Sequence, residues 1–133
     1  MGGSASKALG QELIAAAEAG DTAQVQTLLA AKAPVDHTDH GGYTSLMRAS
    51  MYGHSALVET LLAAKATVGQ ADNNSNNTAL SLASRYGHSA PVKTLLAAKA
   101  PVDHTDRQGR TALTWASVKG HTTPMEPLLS AKA

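Results

Sequence analysis

Across its 133 residues the chain has no cysteine and no phenylalanine, only three tyrosines and a single tryptophan. Without thiols it forms no disulfide and performs no thiol chemistry, which is compatible with a cytoplasmic setting. A dominant charge is missing too: 11 Lys and Arg against 10 Asp and Glu leave a formal net charge of +1. So weak a field recruits neither nucleic acid nor an anionic membrane. No apolar run approaches the roughly 18 residues of a membrane span. The leader Met1–Ser4 has no apolar segment and reads as a cloning scar, not as a signal peptide. The length suits one compact unit.

What the chain does contain is repetition. Residues 27–39 read TLLAAKAPVDHTD, and residues 94–106 repeat those letters without change. A looser copy starts at Thr60, and a fourth, PLLSAKA, starts at Pro127. The Leu-Leu pairs begin at Leu28, Leu61, Leu95 and Leu128, at spacings of 33, 34 and 33 residues. A period near 33 built on short helices marks a stacked repeat array. Such arrays offer an extended surface to a partner instead of a catalytic pocket.

Within one period the elements follow from residue chemistry. Thr44, Thr78 and Thr111 suit helix N-caps, and the first helices run from Ser45 to about Tyr52, Ala79 to about Tyr86 and Ala112 to about Lys119. Gly53, Gly87 and Gly120 stop them. Ser55, Ser89 and Thr122 or Thr123 are the expected caps of the second helices, with Pro91 and Pro124 tolerated in the first turn. Leu57, Val58, Leu61 and Leu62 form an apolar stripe. The connections are polar and turn-rich. The middle one, DNNSNN from Asp72 to Asn77, is one residue longer than its siblings and has only asparagine to supply a positive φ, so it is expected to be the most irregular.

The signature Asp39-His-Gly-Gly-Tyr-Thr-Ser-Leu46, then Ala49, Gly53-His54 and Leu61 to Ala66, returns from Asp106 to Leu113 with Ala116 and Gly120-His121. It resembles the ankyrin repeat family over roughly residues 5–133. The resemblance implies an all-α repeat solenoid of helix-turn-helix pairs linked by hairpin-like loops, in one domain. Its parts are an N-terminal capping repeat over 5–38, repeats over 39–71 and 72–105, and a truncated closing repeat over 106–133. Three departures stand out. The family's Thr-Pro-Leu-His is absent from every copy. Lysine (Lys32, Lys65, Lys99, Lys132) replaces its helix-ending glycine. Pro127 falls near the limit of the first turn of the last helix, where fraying or a shift is expected. The verbatim copies, the leader and the one-domain length point to an engineered, designed or selected, ankyrin protein.

The resemblance also implies a groove lined by hairpins and first helices as the partner-binding strip. The scarce residue types of interface energetics collect there: Tyr43, Arg48, Met51, Tyr52, Arg85 and Tyr86, extended by Arg107, Arg110, Trp115 and Lys119. Trp115 equally suits packing between layers, and Tyr52 and Tyr86 could simply cover a turn. Arg48 reads as a partner contact. The expected partner is another protein, with no nucleic acid or membrane, and the chain alone is expected to be a monomer. The alternative is a structural scaffold without a ligand. His54, His88 and His121 recur with the Gly-His turn and read as structural hydrogen-bonding groups. His37, His40 and Asp36 suit zinc chemically, but the copy around His104 has Arg107 where His40 stands, so no repeated metal site exists. No catalytic set, metal or cofactor is expected, and the chain is not read as an enzyme.

Overall fold

Thr44, Thr78 and Thr111 each take an extended conformation and turn the side-chain oxygen onto an N–H three residues on, that of Met47, Ser81 and Thr114. These bonds satisfy donors that a helix start leaves orphaned. The helices α3 (Ser45–Met51), α5 (Ala79–Arg85) and α7 (Ala112–Val118) follow. The computed structural model describes residues 2–132. Its other helices are α1 (Gly2–Ala19), α2 (Thr22–Ala30), α4 (Ser55–Ala63), α6 (Ser89–Ala97) and α8 (Thr122–Lys132). Among the described residues there are eight helices and no strand, only an isolated bridge between Ala71 and Thr78.

The helices stack in two rows. α1, α3, α5 and α7 pack in succession along one row, and α2, α4, α6 and α8 along the other, while each repeat pairs its own two helices. Leu57, Val58, Leu61, Val92 and Leu95 are completely or almost completely buried between them. Leu62 and Leu96 are half-buried and pack on the rim of the same core. Alanines at 49, 83 and 116 are fully buried, which lets the rows approach closely.

The turn inside each repeat corrects one expectation. His54 and His88, not Ser55 and Ser89, occupy the N-cap, and neither supplies a side-chain cap bond. The serines, and Thr122 in the last copy, are the first helical residues; Thr123 comes one residue later. The reason is that the histidine N–H is already committed to closing the preceding helix. His54 N–H donates to Ala49 O at 2.9 Å and Gly53 N–H to Ser50 O at 3.3 Å, the pair of bonds that ends a helix on a left-handed residue. Gly53 and Gly87 fill that position at φ +76° and +78°. The next repeat's ring lies against each of them: a Cβ on Gly53 would come within 2.6 Å of His88, and one on Gly87 within 2.8 Å of His121. The ring nitrogens then stitch repeats together. His54 Nε2–H donates to Glu18 O at 3.1 Å, and His121 Nε2–H to Arg85 O at 3.0 Å.

The second helices end on Lys32, Lys65 and Lys99, at φ +69°, +72° and +69°. Lys132 differs, closing α8 as a helical residue. Pro127 lies inside α8, which runs past it. The left-handed region costs an L side chain about 1 kcal/mol or more, partly offset because glycine has more freedom to lose on folding. The triple change of Lys32, Lys65 and Lys99 to Gly is therefore expected to stabilise the fold by about 2 kcal/mol. Urea unfolding would show a higher midpoint at an unchanged slope.

The middle loop departs from its siblings as its length requires. The outer two close through Asp39 N to Tyr43 O and Asp106 N to Arg110 O, five-residue loops with Gly42 and Gly109 at positive φ. The middle loop closes one residue later, through Asp72 N to Asn77 O at 2.9 Å, and Asn76 takes φ +60°. Asparagine tolerates this region better than most residues.

Candidate protein-binding face

Each loop is organised by its leading aspartate. Asp39 Oδ1 accepts from the N–H groups of Gly41 and Tyr43, Asp72 Oδ1 from those of Asn74 and Ser75, and Asp106 Oδ1 from those of Gln108 and Arg110. The second oxygen of Asp39 and of Asp106 reaches towards the first-helix row. Asp39 Oδ2 accepts from Arg48 Nη2 at 3.0 Å. Asp106 Oδ2 accepts from Arg110 Nε at 3.2 Å and Trp115 Nε1 at 3.1 Å. The loops and first helices thus form one surface, joined by buried or half-buried carboxylates.

Burial opposes ionisation of both acids, yet both carboxyls are held below the usual range. For Asp39 the outweighing effects are the hydrogen bonds from Arg48, Tyr43 and Gly41. For Asp106 they are the backbone bonds from Arg110 and Gln108, then the Arg110 side chain. Both are therefore carboxylates at neutral pH.

The structure sorts the ten anticipated contact residues into three groups. Tyr52 and Tyr86 stand out from successive first helices at 47% and 44% exposure, and Arg107 and Lys119 are exposed. Tyr43, Arg48, Arg85 and Arg110 are half-buried, each guanidinium lying over a ring. Arg48 lies 4.3 Å from the Tyr43 centroid. Arg85 lies 5.3 Å from Tyr86 and 4.6 Å from Trp115, and Arg110 lies 4.1 Å from Trp115. Met51 packs against the core and Trp115 is 6% exposed. These two shape the face from beneath.

Arg48 is the clearest surprise. The sequence offers no packing reason for a charge there, but its charge is met inside the chain by Asp39 at 3.0 Å and Glu18 at 3.7 Å. The opposite end of the face is less neutralised. A cavity of about 300 Å³ opens between the last two loops, with Arg85, Arg107 and Arg110 around it and Asp106 as its carboxylate. Loop residues Asn74, Ser75, Asn77 and Gln108 complete its wall. Sequence reasoning passed over these polar groups, although Asp72 and Asp106 open the two turn-rich loops that hold them.

Elsewhere, Asp36 accepts from Thr67 N–H at 2.8 Å and from Thr67 Oγ1–H at 2.6 Å in the next repeat. His37 is wedged against Gly10, and His104 Nε2–H donates to Asn76 O at 2.8 Å. Among the described residues no three acidic or imidazole side chains converge as a metal-ligand set. No described helix is long and apolar enough to cross a membrane.

An array of paired helices with a polar looped face, stacked through Gly-His turns, defines a helical repeat protein. The pattern of Ankyrin repeats (3 copies) matches residues 65–133, and that of Ankyrin repeats (many copies) matches residues 13–62. The chain belongs to the ankyrin repeat family. Proteins of that family are generally protein-interaction modules and typically non-catalytic. No curated protein matches the chain.

Proposed function

We propose that the chain is a non-catalytic binding module that recognises a folded protein partner through the loop tips and the first-helix row. The observation that carries this reading is the pair Tyr52 and Tyr86, large rings left exposed at equivalent places in successive repeats. Neither fills the core, and both flank guanidiniums already oriented by rings. Tyrosine brings wide contact area with few rotamers, and a rigid repeat array loses little entropy on docking. The binding unit is a monomer. The verbatim thirteen-residue copies support an engineered or selected origin.

Substituting Tyr52 or Tyr86 by Ala is expected to weaken binding by about 2 kcal/mol each, a typical hot-spot loss. Glu59→Gln and Lys93→Gln on the second-helix row are expected to change it by less than about 0.5 kcal/mol. The check is quantitative capture of a partner by immobilised protein, repeated with each variant after circular dichroism has confirmed its fold. Retention by both tyrosine variants with loss from the second-helix variants would move the site to the opposite row.

A further inference from the structure

The two ends of the looped face differ in charge. At the N-terminal end Arg48 meets two carboxylates, Asp39 and Glu18. At the C-terminal end three arginines surround the 300 Å³ cavity with one carboxylate between them. That carboxylate is saturated: Asp106 accepts from two backbone N–H groups, from Arg110 and from Trp115. Arg110 is held by Asp106 and by Gln108. Arg107 gives one N–H to Asn73 O at 2.8 Å, and among the described residues the rest of its fork is open. Among the described residues the Arg85 guanidinium has neither a hydrogen bond nor an ion pair, only its two rings; its backbone carbonyl accepts from His121.

A guanidinium held on aromatic rings with its donors unused is prepared for an anion. Stacking fixes the plane of the fork, so little freedom is lost when a carboxylate binds it bidentately. Half-burial reduces solvent screening of the attraction. The cavity has room for one or two side chains, not for a nucleic-acid strand, and a net charge of +1 supplies no extended basic track.

We infer that this cavity is a carboxylate-binding subsite: it takes a glutamate or aspartate from an acidic segment of the protein partner, clamped by Arg85 with help from Arg107. The inference rests on the protein-binding reading and adds its polarity. The partner's acidic segment lies over α5 and α7, and its neutral or basic surface lies over α3.

Trp115 is the only tryptophan, and Arg85 lies over it, so its fluorescence reports on the cavity. The test titrates the whole protein with a short blocked peptide carrying a run of glutamates, its glutamine analogue, and an oligothymidylate of matched charge. The glutamate peptide should shift Trp115 emission saturably, with weaker binding at higher salt. The glutamine analogue and the oligonucleotide should bind at least about tenfold more weakly. Arg85→Gln should weaken the glutamate peptide roughly tenfold and Arg107→Gln roughly threefold. Arg85→Lys, which keeps the charge but not the fork, should fall between wild type and Arg85→Gln. Lys93→Gln removes the same charge from the second-helix row and should leave affinity unchanged. Equal binding of the glutamine analogue or the oligonucleotide would overturn the inference, as would equal losses from Lys93→Gln and Arg85→Gln. Partner capture that depends on Tyr52 and Tyr86 but not on Arg85 would overturn it while leaving the broader reading intact. Peptide binding without any effect of the tyrosines on capture would do the reverse.

Discussion

Leu95→Ala is expected to destabilise the fold by about 3 kcal/mol, while Leu96→Ala one residue later costs about half as much. Leu95 is fully buried on α6, which packs against α4, α5 and α8. Truncation there loses the transfer energy of the removed atoms and leaves a cavity that short, rigid helices cannot collapse. Leu96 sits at the rim of the core and is half-buried. Its truncated site stays open to water, so the cavity contribution largely vanishes. Urea unfolding of the two variants measures the difference. Equal losses would mean that the two leucines share one environment and that the register of α6 is wrong.

The second large effect is expected at Asp106. Asp106→Ala removes the acceptor of four donors in a site that is 6% exposed. Trp115 Nε1–H, buried with its ring, then has no partner, and the loop loses the carboxylate that shapes it. Buried unsatisfied donors cost about 1–3 kcal/mol each, with partial relief from water, so about 3 kcal/mol is expected in total. The pH dependence has a definite sign. The folded-state pKa of Asp106 is depressed, so its contribution is fully present above the unfolded value near 4 and is lost as pH falls through the lower folded value. Asp39 behaves in the same way. The Asp106→Ala variant should therefore show a shallower loss of stability on acidification from about pH 5 to pH 2 than wild type, with its tryptophan emission altered already at neutral pH. A stability deficit that stays constant across that range would contradict the role given to the carboxylate.

The fold was legible wherever one residue decides one local conformation. Threonine before an apolar run is a cap whatever surrounds it, and a glycine, or here a lysine, after the run marks the left-handed exit. Even the extra residue of the middle loop could be located, because only an asparagine was available for its positive φ. The Gly-His turn misled in one respect. Ser55 and Ser89 have good capping chemistry, but two helices meet so closely there that His54 and His88 end one and begin the next.

The site was legible as a list and not as an arrangement. Scarcity picked out the arginines and rings, and the period placed them on one face. Nothing in the linear sequence says that Arg48 would find Asp39 nine residues earlier, across a loop and a helix turn. Nor does it say that Arg85 would lie on Trp115, thirty residues on, or that Asp106 would absorb the tryptophan N–H. The first and last of these pairings depend on how a loop folds back onto its own helix, and only the pairing of Arg85 with Trp115 depends on the stacking distance between repeats. Trp115 is buried and Met51 half-buried against the core, while Tyr52, Tyr86, Arg85 and Arg107 have surface or donors to offer.

The most direct measurement is hydroxyl-radical footprinting of the protein alone and bound to a captured protein partner. Tyr52 and Tyr86, each almost half exposed when the chain is alone, should lose most of their reactivity on binding, whereas Leu129 on α8, 52% exposed, should keep its own. Undiminished oxidation of both tyrosines together with protection along α4 and α6 would contradict the account.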